Sequence, residues 1–366
     1  MIPYYLLFLS IYLSSYYDIC RGGSVQTKKS IFYLGFLTTS VFLIIFTGLK
    51  GDVGTDYKGY LNLYSEYANP SYSTLFEPGF RLLCHFCNLL KMPFHVFWFC
   101  IACITLLTKF IFFKKYSPYF FLSLLIYLSG LYIERDFDGI RQGLSIGLVY
   151  ISILYYFDNK KLGYLIFLLF AISLHYSSLI YITIPIFHKI RIKQWIIYVL
   201  IATGFIFLFL KIDIFSFVLN FIPEGYITAR INSYIKDTSF AESIGLNIGI
   251  IVRIIVLLLF INMDYKKTNL SKGFYNFLKN AFLFSILCFL FLNNFEIIAH
   301  RLAYGYRELQ IICIPICFKY YIMDRKKNKH LIVLAFYFFI FYAFLLFYRM
   351  INAPHLKEYY EYHFFF

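Results

Sequence analysis

The chain has 366 residues, 61% of them hydrophobic and 14% charged, with a mean hydropathy of +0.69. Soluble domains carry about 25% charge, so a soluble globular fold is excluded. A net charge of +15 would suggest nucleic acid in a soluble protein. Here the cations gather in short loops between apolar runs, as in a membrane protein, and no nucleic-acid partner is expected.

Apolar runs of about 16–20 residues recur from end to end, each long enough or nearly so to cross a hydrocarbon core about 30 Å thick. The alternating ten-residue segments of a β-barrel are missing, so the chain reads as all-α and polytopic. The first run, Ile2–Tyr17, has no basic n-region and no small-residue cleavage site, and reads as a retained span. Basic clusters mark the cytoplasmic loops: Arg21/Lys28/Lys29, Lys114/Lys115, Lys160/Lys161, Lys189/Arg191/Lys193, Lys266/Lys267/Lys272 and Arg325/Lys326/Lys327/Lys329.

Between those clusters the sequence predicts about twelve helices in one membrane domain, residues 1–366. They cover roughly 2–18, 31–49, 94–113, 118–133, 139–157, 162–174, 177–188, 194–211, 246–263, 274–293, 303–321 and 331–349. Both termini then face outward. Two outer loops are long, about 50–92 and 212–245. In the first, Phe80–Lys91 is apolar but too short to span. Arg81, His85, Asn88 and Lys91 fall on one helical face, so about 80–91 reads as an interfacial helix. The runs 162–174 and 177–188 are short, with His175 at their junction, and read as two broken helices rather than one tilted span. Of the nineteen acids, only Asp18, Asp158, Asp264 and Asp324 fall on the inner side. Both signs of charge therefore meet on the outer one. The CxxC pairs Cys84/Cys87 and Cys100/Cys103 lie in apolar helical contexts and read as packing residues, not as metal ligands.

Five polar clusters could carry chemistry. In the first, Lys50-Gly51-Asp52-Val53-Gly54-Thr55-Asp56-Tyr57, two glycines allow a tight turn. Asp52 and Asp56 face one site or ligate a cation there, or Thr55 or Asp56 caps the next helix. In the second, Phe76-Glu77-Pro78-Gly79-Phe80, Glu77 stands at a helix start. The third runs from Glu134 to Gln142, with five charges in its first eight residues between uncharged runs. A charge at membrane depth costs at least about 2.5–3.5 kcal/mol, so this turn should sit at a surface or in a wet cavity. Arg135 and Arg141 bracket Asp136 and Asp138, and guanidinium groups bind phosphates while keeping their charge in low dielectric. Arg141 is followed by Gln142, Gly143, Ser145 and Gly147, a polar, small-residue face. The fourth is His175 with Tyr176, Ser177 and Ser178, a general base or an interhelical hydrogen bond. The fifth is Glu296, His300, Arg301, Tyr304, Arg307 and Glu308, an anion site or a surface ion-pair cluster. Arg349 and Arg253 are lesser candidates.

With these segments the chain resembles the EpsG-like branch of the Wzy-type polysaccharide polymerases. The motifs are GTDYKGY (54–60), EPGF (77–80), RDFDGIRQGLSIGL (135–148), KLGYLIFLLFAISLHYSSLIYI (161–182) and HRLAYGYR (300–307). Lys50 departs from the arginine that the family often carries. The segment after Arg349 carries none of these motifs.

The resemblance implies a glycosyltransferase of GT-C-like architecture in the bacterial cytoplasmic membrane, making O-antigen, capsule or exopolysaccharide. It would join repeat units carried on undecaprenyl diphosphate at the outer leaflet. The lipid diphosphate leaves, so neither nucleotide sugar nor metal nor cofactor is expected. Partners would be the lipid-linked oligosaccharide, the bilayer and a chain-length regulator. Arg135, Arg141, Arg301 and Arg307 would bind the diphosphate and stabilise its developing charge. The base that deprotonates the acceptor hydroxyl would be Asp136, Asp138 or His175. Asp56, Glu77, Gln142 and His300 would meet sugar hydroxyls. The alternatives are a lipid-linked oligosaccharide flippase, another polyprenyl-phosphate-dependent glycosyltransferase or ligase, and, less well supported, a membrane acyltransferase.

Overall fold

A computed structural model describes residues 1–20, 29–67, 77–212, 245–294, 296–323, 329–354 and 356–366. For residues 29, 296–298, 301, 322–323, 329–333 and 335–336 it describes the backbone alone. Most of the expected outer loop at 212–245, and the end of the loop before Glu77, lie outside the described residues. The helices are α1 (Ile2–Cys20), α2 (Lys29–Gly48), α3 (Tyr57–Glu66), α4 (Pro78–Leu89), α5 (Phe94–Tyr116), α6 (Phe120–Ile126), α7 (Ile140–Phe157) and α8 (Lys161–Leu174). They continue as α9 (Ile184–Lys189), α10 (Gln194–Leu210), α11 (Ile248–Asn262), α12 (Lys272–Phe291), α13 (Glu296–Arg307), α14 (Gln310–Met323) and α15 (Lys329–Asn352). Among the described residues there is no strand, only a lone bridge between Lys50 and Phe364.

The chain is an all-α, polytopic integral membrane protein. Among the described residues, four helices are long and apolar enough to cross a bilayer: Ser30–Gly48, Phe94–Tyr116, Ile140–Phe157 and Lys272–Phe291. Other apolar helices run 10–17 residues, and breaks explain several of them. Extended backbone at His175, φ −157° and ψ 119°, ends α8, and a 3-10 stretch, Tyr176–Thr183, precedes α9. The expected span 303–321 is divided between α13 and α14.

The chain forms two compact units, Met1–Leu179 with Phe318–Phe366, and Ile180–Cys317. In the first, α7 packs along α5 and α8, α2 along α5, and α1 along α6. All seven side chains of α6 are buried, so this segment is the unit's spine and not a lipid-facing span. α6 continues through π-helical turns, Tyr127–Leu131 and Ile133–Asp138, to Gly139. Such turns often mark functional sites.

The start of α1, the end of α2 and the starts of α5 and α7 meet at one end of the unit. Tyr4 packs edge-on to Phe46 and Phe137, and Trp98 Nε1 donates to the Thr47 carbonyl at 3.0 Å. Beside them Tyr57, Tyr64, Phe80, Phe94, Phe97, Trp98, Ile140, Leu144 and Leu174 form an apolar layer joining α3, α4, α5, α7 and α8. Pro78 at the first turn of α4 presets its φ, and its missing N–H costs nothing there. At the unit's other end, Lys114 lies over Tyr33 and Lys115 pairs with Asp158 at 2.7 Å. In the second unit α12 is the central helix, with 83% of its most apolar window buried, against 33% for α2 in the first.

Candidate functional site beside the first turn of α7

Where α2 ends, the chain turns inward at Lys50, which is wholly buried. Its ammonium donates to the carbonyls of Val53 and Phe137, each at 2.5 Å, and lies 4.0 Å from the centre of the Phe137 ring and 4.5 Å from that of Trp98. Burial lowers this lysine to about 7, and the nearby charges of Asp138 and Asp56 pull the other way. Gly54 has φ +105°, and a Cβ there would strike the Asp138 carboxylate and crowd the Lys50 ammonium. Only glycine lets the turn close this tightly.

Three donors meet Asp138, two from this turn and one from the segment near the end of the chain. They are the Thr55 hydroxyl at 2.8 Å, the Asp56 backbone N–H at 3.2 Å and the Tyr360 hydroxyl at 2.7 Å. Burial first, then Asp138, raises the Tyr360 phenol. Asp56 stands before α3 but makes no side-chain cap. Its carboxylate accepts a long hydrogen bond, 3.5 Å, from the Thr55 hydroxyl. Partial burial and the like charge of Asp138 raise its carboxyl, against Thr55, Lys50 and Arg141.

Asp136 has different company. Both its oxygens accept from Lys109 Nζ at 2.6 Å, and both side chains have zero exposure. The expectation that all five charges of this turn sit at a surface or in a wet cavity is therefore corrected. Residues 133–138 are helical, and Arg135, Asp136 and Asp138 are buried in protein. Gly143 lets α7 start close by, since a Cβ would strike Asp136 and the Arg135 carbonyl.

Arg141 donates to Glu77 at 2.7 Å. The other Glu77 oxygen accepts the Tyr176 N–H at 3.0 Å. Burial works against the Glu77 carboxylate, but Arg141 and that N–H outweigh it and hold its carboxyl below the ordinary value. One carboxylate thus ties the start of α4 to α7 and to the break after α8. A second chain of contacts runs from Arg135 to Gln142 Oε1, from Gln142 Nε2 to Ser177 Oγ at 3.5 Å, and from Ser177 to His175 Nδ1 at 2.7 Å. The Ser177 backbone N–H also donates to Nδ1, so the neutral ring carries its proton on Nε2.

Asp56, Glu77, Arg135, Asp136, Asp138, Arg141, Gln142 and His175 therefore all belong to the first unit, in several separate sets of contacts. His300, Arg301 and Arg307 lie on α13 of the second. There His300 sits edge-on to Phe289, Arg307 lies over Tyr304 and Arg253 over Phe289, with ring distances of 5.0, 4.3 and 4.4 Å. Among the described residues no cluster of three His, Cys, Asp or Glu side chains could hold a metal.

Two participants were missed in the sequence. Lys109 is a lone cation inside an apolar span, a signal that was available. The segment after Arg349 held no recognised motif, yet it seats itself on the site. Gly54 N–H donates to the Tyr359 carbonyl at 2.7 Å, Gly51 N–H to that of His363 at 2.9 Å, and Phe365 N–H to that of Leu49 at 3.2 Å. Tyr362 stacks on Phe46 at 4.3 Å, and His363 reaches Asp52 at 2.8 Å.

The EpsG family matches this chain across residues 33–364. The amylovoran biosynthesis protein AmsC of Erwinia amylovora is 25% identical over 217 residues, 56% of this chain and 58% of that protein. The match thus covers less than two thirds of that relative. No solved structure matches the chain.

Proposed function

The chain belongs to the EpsG family, and from that premise we propose that it is a polysaccharide polymerase of the bacterial cytoplasmic membrane. It joins repeat units carried on undecaprenyl diphosphate, with the site of the first unit facing the exterior. The observation that carries this reading is Arg141, 15% exposed and held at 2.7 Å by Glu77. A fixed guanidinium in low dielectric neutralises a departing diphosphate without a metal ion. Arg135, on the other side of Gly139, is the second diphosphate ligand. Arg301, Arg307 and, for sugar hydroxyls, His300 are assigned on the motif HRLAYGYR alone. Gln142 and Glu77 meet sugar hydroxyls. The amylovoran biosynthesis relative supports a role in polysaccharide assembly.

Asp136 does not suit the role of base, because Lys109 engages both its oxygens in a dry interior. The test uses full-length protein reconstituted with a polyprenyl-diphosphate-linked repeat unit, the products being resolved by length. Chains of many repeats are expected. Addition of a single sugar, or translocation without extension, overturns the proposal. Arg141→Ala should abolish extension at normal protein level, and Arg141→Lys should restore only a small part, since an ammonium lacks the planar fork.

A further inference from the structure

The polymerase reading needs a base, and the candidates drawn from the sequence differ in what they are free to do. Asp136 is locked to Lys109. Asp138 is 5% exposed and accepts from three donors, one of them the buried Tyr360 hydroxyl. Such a carboxylate holds the turn together and is poorly placed to take a proton. His175 has Nδ1 occupied by Ser177.

Asp56 is different. It was assigned to sugar hydroxyls, with helix capping as its structural alternative. The capping role does not hold, because its side chain bonds no N–H of α3. The residue is exposed, though its carboxyl is partly buried. Its own backbone N–H is pinned to Asp138 at 3.2 Å, so the backbone that carries it is fixed. Arg141 and Lys50 are near enough to act on it electrostatically. The carboxylate thus shares its electrostatic surroundings with Arg141, the proposed diphosphate ligand.

We infer that Asp56 is the catalytic base of the chain-extending step, with Asp138 as the positioning residue that fixes it. The inference rests on the polymerase reading above. In the step, Asp56 takes the proton of an acceptor sugar hydroxyl, and the oxygen lone pair forms the new bond to the donor's anomeric carbon. The bond from that carbon to the diphosphate oxygen breaks, and its electron pair leaves with the lipid diphosphate beside Arg141. The proton on Asp56 then passes to the leaving diphosphate or to water.

Two neighbouring carboxylates in unlike surroundings divide the work of acid–base sites elsewhere. Here Asp138, held by neutral donors, supplies the like charge that helps to raise the Asp56 carboxyl, moving it towards the range in which a base works best. The groups that act on it are Asp138, Thr55, Lys50 and Arg141.

The test uses the full-length chain in nanodiscs with a polyprenyl-diphosphate-linked repeat unit, reading kcat, KM and thermal unfolding. Asp56→Asn is expected to lower kcat about 100-fold or more, with KM and the unfolding midpoint little changed. Asp56→Glu keeps the carboxylate and should retain about a tenth of kcat. The wild-type rate should fall as the pH drops through the Asp56 carboxyl, and the residual Asp56→Asn rate should lack that limb. An Asp56→Asn enzyme with near-normal kcat overturns the assignment. So does a loss confined to KM, which would mark sugar binding, or an equal loss in both variants. If the wild-type chain extends nothing in this assay, it is the polymerase reading that falls.

Discussion

Asp136 and Asp138 lie two residues apart in one π-helical turn, yet they are stabilised in opposite ways. Asp136 turns inward to Lys109, and the two charges close on each other with no exposure at all. Asp138 turns to the 50–57 loop and is met by two hydroxyls and a backbone N–H. Taking an ion pair out of water costs several kcal/mol per ion, and close mutual attraction repays much of that. The inner pair is consequently a lock between α5 and the spine of the unit. The outer carboxylate is satisfied mainly by neutral groups from two separate stretches of chain. It therefore ties the 50–57 loop and Tyr360 to the end of the π-helical turn. Two residues of sequence separate a charge locked to Lys109 from one that holds the 50–57 loop.

The sharpest way to break this contrast is to remove one ion of the inner pair. Lys109→Met leaves an uncompensated carboxylate in a dry interior and should cost about 3–5 kcal/mol. The readouts are thermal unfolding in detergent and membrane yield. Replacing both partners, Lys109→Met with Asp136→Leu, should recover most of that loss and keep chain extension, because apolar residues can fill such a site without penalty. A double variant that is stable but inactive would mean that the inner pair takes part in the chemistry, and the contrast would fail.

The outer carboxylate predicts a smaller effect. Tyr360→Phe keeps the ring and deletes one donor to Asp138. A hydrogen bond to a charged group contributes about 1.5–3 kcal/mol, so the unfolding midpoint should fall by less than in Lys109→Met. Removing residues 359–366 should cost more than Tyr360→Phe, since it also strips the carbonyls that Gly51 and Gly54 bond. No change in either variant would mean that Thr55 and the Asp56 N–H hold Asp138 unaided.

Helix positions were largely legible from the sequence, and long-range pairing was not. The run 94–113 became Phe94–Tyr116, 162–174 became Lys161–Leu174, and 80–91 became Pro78–Leu89. Apolar length and breakers act locally, so they show in the chain itself. The interruption at His175 showed as well, because two runs of about 12–13 residues are each too short to span. The 50–57, 77, 135–142 and 175 clusters were singled out by charge beside apolar runs, and the structure joins them in one unit. What joins them carries no local signal. Lys109 lies 27 residues from Asp136, and Tyr360 lies 222 from Asp138. Nothing periodic links such partners; packing alone selects them. The 300–307 motif was legible as helix and as cation-rich. Its part in any shared chemistry rests on the resemblance alone.

The smallest expected effect lies at the rim of the outer cluster, where His363 meets Asp52 at 2.8 Å with side-chain exposures of 55% and 49%. The hydrogen bond from His363, together with Lys58 at 3.5 Å, holds the Asp52 carboxyl below its ordinary value despite a small opposing effect of burial. A depressed folded-state value means that the stabilisation is complete above the ordinary carboxylate range. It is lost as the pH falls through the lowered one. Water and salt screen a pair this open, so His363→Ala should change stability by only about 0–1 kcal/mol, and by still less at high ionic strength. The Gly51 bond to the His363 carbonyl is made by backbone and survives the substitution. A loss as large as that of Tyr360→Phe would therefore show that the histidine ring, and not the backbone, seats this segment. The border between structural and functional charge would then have to be drawn further out, at the rim itself.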